Sequence, residues 1–70
     1  MPQAKALIGE RIVFLRKQKN ISQQQLADLV GIDKQYMHRL EKGQINITAN
    51  YIDRIARALN LSLNDFFYFN

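Results

Sequence analysis

No cysteine occurs among the 70 residues. That absence excludes a disulfide framework and any thiolate metal site, and makes a reducing cytoplasm the expected home. Histidine is nearly as scarce: His38 is the single example. With only Glu41 one turn away, no metal site is expected there. Glycine occurs three times, at Gly9, Gly31 and Gly43, too scattered to form a phosphate-cradling loop. Long apolar runs are also missing. The opening stretch MPQAKALIGERIVFLRK is broken by Lys5, Glu10 and Arg11, so it is neither a secretory h-region nor a membrane span. The chain therefore reads as soluble and unprocessed. No acid–base pair with a pocket can be assembled, and Ser22 and Ser62 are better explained as helix caps than as nucleophiles. Neither an enzyme nor a cofactor is expected.

What is present is a modest excess of positive charge, +4 at neutral pH with a pI near 9.8. This favours an anionic partner such as nucleic acid without requiring one. The cations gather in two places: Arg11, Arg16, Lys17 and Lys19 in the first quarter, and Lys34, Arg39 and Lys42 in the middle. A chain of this length makes one domain, 1–70, and buries too little surface for a core plus a deep catalytic cleft.

Apolar spacing and cap residues predict five short helices and no strand. Ile8, Ile12 and Leu15 form the stripe of a first helix from about Ala4 to Lys19, with Asn20 as a left-handed stop. Ser22 and Gln25 form the capping box of a second helix, whose buried side is Leu26, Ala27 and Val30 and whose end is Gly31. Asp33 caps a third helix running to about Lys42, closed by Gly43. The motif helices are thus expected at about 22–30 and 33–42. The segment QINITAN lacks a helical period and reads as a loop, with Thr48 as the next cap. Ile52, Ile55, Ala56 and Leu59 mark a fourth helix stopped by Asn60, and Ser62 caps a short fifth one.

The third helix, DKQYMHRLEKG, carries the functional signal. At about 100° per residue, Met37 and Leu40 share a core-facing side. Lys34, Gln35, His38 and Arg39 fall together on another face, where cations and an amide match the edges of guanine and adenine in the major groove. A bland solvated face is the competing reading. Against it stand the short GID turn, which suits a helix-turn-helix, and phosphate partners on both flanks. Gln23 and the N–H groups at the start of the second helix lie on one side, and Lys42, Gln44, Asn46 and Thr48 on the other.

The run FLRKQKNISQQQLADLVGIDKQYMHRLEKG followed by YIDRIARALNLSLNDFF resembles the Xre/Cro-type helix-turn-helix family of bacterial and phage repressors, over roughly Ile8 to Phe67. The resemblance implies an all-α, five-helix, lambda-repressor-like DNA-binding domain that regulates transcription from double-stranded DNA. It implies that Gln23 holds a phosphate and buttresses the recognition helix. Lys34, Gln35 and Arg39 would reach base edges, with Tyr36 and His38 beside them contacting backbone or bases. Arg16 and Glu41 would form a structural salt bridge. Tyr36 and the Asn46–Ile47–Thr48 segment are also similar to the controller proteins of restriction–modification systems. The chain departs from those at Gln44 and Ile45, where they often carry a further basic residue.

The tail DFFYFN raises a separate question. Phe66, Phe67, Tyr68 and Phe69 cannot all face the core of so small a domain, and an exposed apolar patch marks a partner surface. In the resembling family the last helix often makes a two-fold contact, so 62–70 is the expected dimerisation segment of a homodimer on a palindromic operator. Two alternatives stay open. Phe66 and Phe67 could instead close the core. The scaffold could also be an interaction module, such as an antitoxin with a protein partner.

Overall fold

The computed structural model describes residues 4–68. They form five helices and no strand: α1 (Ala4–Gln18), α2 (Gln23–Val30), α3 (Lys34–Glu41), α4 (Ala49–Ala58) and α5 (Leu63–Phe66). Each boundary has a chemical cause. Ser22 accepts from the Gln25 amide while the Gln25 side chain returns to the Ser22 N–H, a complete capping box. Asp33, Thr48 and Ser62 accept from the first-turn amides of α3, α4 and α5 in the same manner, each cap contributing about 1 kcal/mol. At the other ends the chain turns through left-handed residues, Asn20 (φ 56°), Gly31 (φ 82°), Gly43 (φ 70°) and Asn60 (φ 62°).

The core draws on every helix. Ile12 and Leu15 come from α1, Leu26, Ala27 and Val30 from α2, Met37 and Leu40 from α3, Ile55, Ala56 and Leu59 from α4 and its end, and Phe66 from α5. Burying a large apolar side chain of this kind contributes about 1.5–3 kcal/mol. The loop between α3 and α4 is held by alternation: Ile45 and Ile47 pack on the core, while Gln44, Asn46 and Thr48 are exposed.

Gly9 sits where α1 crosses the end of α3. A Cβ there would lie 2.5 Å from the Leu40 carbonyl oxygen and 2.7 Å from that of Glu41. No side chain fits, so the two helices approach backbone to backbone. This close approach fixes where the C-terminal turn of α3 lies.

The tail corrects one expectation, the placement of Phe66. The fifth helix is only four residues long. At its end the Arg11 guanidinium donates to the carbonyls of Phe66 (2.7 Å) and Asp65 (2.9 Å), supplying partners that further helical turns would have given. Phe66, expected at a subunit interface, is instead fully buried in the core. It stands at the one position of α5 that points inward, where an aromatic ring excludes water from the space among the other helices. Phe67 and Tyr68 remain exposed, at 42% and 64%, and Phe69 lies outside the described residues.

Candidate nucleic-acid interface

Helix α3 is two turns long, and its sides divide as the apolar spacing requires. Met37 and Leu40 are buried, whereas Lys34, Gln35, His38 and Arg39 are exposed. These four line one open concavity together with Gln23 from the start of α2 and Gln44 from the loop beyond α3. The surface so formed carries two cations and three carboxamides, with His38 between them. It offers many donors, and the carboxamides add acceptors.

The remaining candidates lie around its rim or apart from it. Lys42, Asn46 and Thr48 are exposed on the following turn and loop but do not line the concavity. The Thr48 hydroxyl already accepts from the Tyr51 amide at 3.3 Å. Tyr36 is half-buried, its ring 5.7 Å from that of Tyr51, so only part of it is free to meet a ligand.

Behind the concavity stands an ionic node. Arg16 Nε donates to Glu41 Oε2 at 2.8 Å and Nη2 to Oε1 at 3.1 Å, a bidentate pair. Arg16 Nη1 also donates to the Ile21 carbonyl at 3.0 Å. Gln23 Nε2 donates to Glu41 Oε1 at 2.9 Å. The side chains of Arg16 and Glu41 are only 13% and 5% exposed, so this node joins α1, α2 and α3 in near-isolation from water. Gln23 therefore spends one amide hydrogen on Glu41 and keeps its other donor and its carbonyl for an outside partner. The internal bond from Gln23 had no signature in the spacing, because the partners are 18 residues apart.

Two short helices joined by the turn Gly31–Asp33, the second exposing a face of cations and amides, define a helix-turn-helix DNA-binding domain. A family profile described as helix-turn-helix matches residues 14–66, and the chain belongs to that family, of the Xre type. It is 32% identical over 59 residues to the control protein C.SmaI of Serratia marcescens, covering 84% of this chain and 70% of that protein. The crystal structure of the restriction–modification controller protein C.AhdI from Aeromonas hydrophila superposes with a TM-score of 0.85 at 35% identity, covering 90% of this chain and 96% of that one. The biofilm regulator SinR, solved in complex with DNA, superposes with a TM-score of 0.78 at 29% identity, covering 87% and 98%. Other curated relatives are longer. The chain spans 48% of a Rickettsia prowazekii regulator and 37% of the antitoxin PezA of Streptococcus pneumoniae, to which it is 34% identical. By family, the chain is a DNA-binding regulator of transcription. None of the described helices is long and apolar enough to cross a membrane.

Proposed function

We propose that the chain binds a palindromic operator as a homodimer, each copy laying α3 in a major groove. The observation that carries this reading is that one concavity is lined by Gln23, Lys34, Gln35, His38, Arg39 and Gln44 together. Lys34, Gln35, His38 and Arg39 serve as base-reading side chains, since Lys and Arg suit guanine edges and Gln suits adenine. Gln23, Lys42, Gln44, Asn46 and Thr48 hold phosphates on the two sides of the groove, joined by the exposed part of Tyr36. Such contacts set register rather than sequence. The capping box leaves the Gln23 and Gln24 amides at the positive end of α2 without intrahelical partners, which favours an anion there.

Dimerisation rests on Phe67 and Tyr68, which expose aromatic surface beside a buried Phe66. A two-fold pair would set its half-sites about one helical turn apart, roughly 34 Å. The likeness to SinR, solved on DNA, and to the controller proteins supports this reading. Binding without catalysis is the chemistry such a surface offers.

A salt titration tests it, with a random duplex and the duplex immediately upstream of the chain's own gene. Upstream binding tighter than random by about a thousandfold or more is expected of a specific reader. Equal, weak binding to both would refute it. A second reading, a protein-interaction module of antitoxin type, is favoured by the exposed Phe67 and Tyr68 and by the likeness to PezA. It predicts a small toxin gene beside this one, and a complex that survives loss of DNA binding.

A further inference from the structure

We propose that Tyr51 and Arg54 of α4 are positioning residues for sequence recognition: they set the roll of α3 about its own axis without touching DNA. This rests on the reading of α3 as the helix that enters the groove.

The need for such a device follows from the size of α3. A helix of eight residues with two buried side chains, Met37 and Leu40, is held down firmly but is poorly held against rotation. A roll of about 10° carries the helix surface by about 1 Å. Base-edge hydrogen bonds tolerate less than that between good and lost geometry. Something on each side of the Met37–Leu40 face must therefore block the roll.

At about 100° per residue, Glu41 and Tyr36 stand on opposite sides of that face, each about 70° from its centre. Glu41 is gripped from α1 and α2 by Arg16 and Gln23. Tyr36 meets Tyr51 of α4, the ring centroids 5.7 Å apart and the planes inclined at 54°, within the favourable range for an aromatic pair. Both rings also pack against the hydrophobic core. The α4 side of the brace is tied down in turn. The Arg54 guanidinium carbon lies 5.0 Å from the centroid of the Tyr51 ring, a cation–π distance. Its Nη2 donates to the carbonyl of Val30, the last residue of α2. A cation suits that negative helix end.

One helix thus registers both motif helices, Tyr51 on the flank of α3 and Arg54 on the end of α2. The turn between them is fitted to the same contact. Gly31 is left-handed at φ +82°, and a Cβ on it would stand 3.0 Å from Arg54 Nη2. Glycine is favoured there by its backbone angle, and any Cβ would press on the Arg54 guanidinium, which would have to give by a few tenths of an ångström.

The test begins with wild-type protein selecting a consensus from a random-sequence duplex pool. Dissociation constants for that consensus duplex and a scrambled duplex are then measured at one salt concentration. The variants are Tyr51→Leu, Tyr51→Phe and Arg54→Lys, each with a thermal melt. Tyr51→Leu keeps apolar bulk and loses the ring. It is expected to lower the consensus-to-scrambled ratio by at least about tenfold, the size of one base contact, while scrambled-duplex binding stays within about twofold. Tyr51→Phe keeps the ring and should restore the wild-type ratio. Arg54→Lys replaces an exposed side chain, so it leaves the core intact and carries the test should Tyr51→Leu not fold. It should lower the ratio by about threefold, since an ammonium cannot lie flat on the ring. A folded Tyr51→Leu with an unchanged ratio, or with both duplexes weakened equally, overturns the proposal. So does an unchanged ratio in Arg54→Lys. If wild type enriches no consensus, the DNA reading itself fails and the brace with it.

Discussion

Replacing Glu41 with leucine removes the acceptor at the centre of the node that ties α1, α2 and α3. The carboxylate takes two bonds from Arg16 and one from Gln23. After the substitution the guanidinium, only 13% exposed, keeps its bond to the Ile21 carbonyl and loses both bonds to the carboxylate. An uncompensated charge in such a place costs about 3–5 kcal/mol, far above the 0–1 kcal/mol of an exposed pair. A domain of this length has roughly 4–10 kcal/mol in all, so the variant should lose at least about three-tenths of its stability. At about 4–8 °C per kcal/mol for a domain of this size, the midpoint should fall by about 12 °C or more. Urea unfolding followed by far-ultraviolet circular dichroism reads the loss as a lowered midpoint at constant slope. The double variant Arg16→Met/Glu41→Leu removes both charges. It should be more stable than Glu41→Leu alone, because an apolar pair of similar volume leaves nothing charged behind. A loss under about 1 kcal/mol in the single variant would refute the argument. Additive losses in the double variant would refute it equally.

Five further outcomes separate the roles assigned to other residues. Gln35→Ala or Arg39→Ala should cost about 1–3 kcal/mol on operator DNA and relax sequence preference. Lys42→Ala should weaken all duplexes alike and flatten the log–log salt slope by about 0.9. Identical behaviour of Gln35→Ala and Lys42→Ala on operator and random DNA would break the division into base and phosphate contacts. Gly9→Ala, usually favourable inside a helix, should here destabilise by about 1–3 kcal/mol through overpacking, because its Cβ would fall 2.5 Å from the Leu40 carbonyl oxygen. A rise in urea midpoint would refute that close approach. Phe66→Ala should cost about 3–5 kcal/mol as a core cavity. Tyr68→Ser, at 64% exposure, should leave the melt of the monomer unchanged while lowering the sedimentation-equilibrium mass toward one chain; an unchanged dimer mass would exclude Tyr68 from the interface.

The helix limits and the sidedness of α3 were legible because they depend on near neighbours. Caps act over two or three residues, and Met37 and Leu40 had to turn inward wherever the core lay. The tail was less legible. A four-residue helix holds one turn, too little for a period to say which of several adjacent aromatics points in, and burial fell to Phe66. The fit at Gly9 was also hidden. A glycine inside an apolar helical pattern signals a reason, but only the path of α3 reveals the carbonyls it must clear. The partners of Tyr36 and Val30, Tyr51 and Arg54, lie 15 and 24 residues away on an otherwise ordinary amphipathic helix, so no local pattern could link them.

These distant partners bear on what the recognition unit is. The motif at 22–43 contains the exposed face proposed to read bases, yet two of the contacts that orient it come from outside. Arg16 reaches in from α1 to Glu41, and Tyr51 reaches in from α4 to Tyr36. Helices as short as α2 and α3 do not persist alone in water, where roughly 12–15 residues are needed even for favourable sequences. The motif therefore borrows both its helicity and its orientation from the flanking helices. That dependence gives a physical reason for the family pattern to extend from α1 through α5 rather than to stop at Gly43. On the proposed reading, control of recognition lies partly where no base is touched: a substitution in α1 or α4 would change how α3 sits while its exposed side chains stay the same.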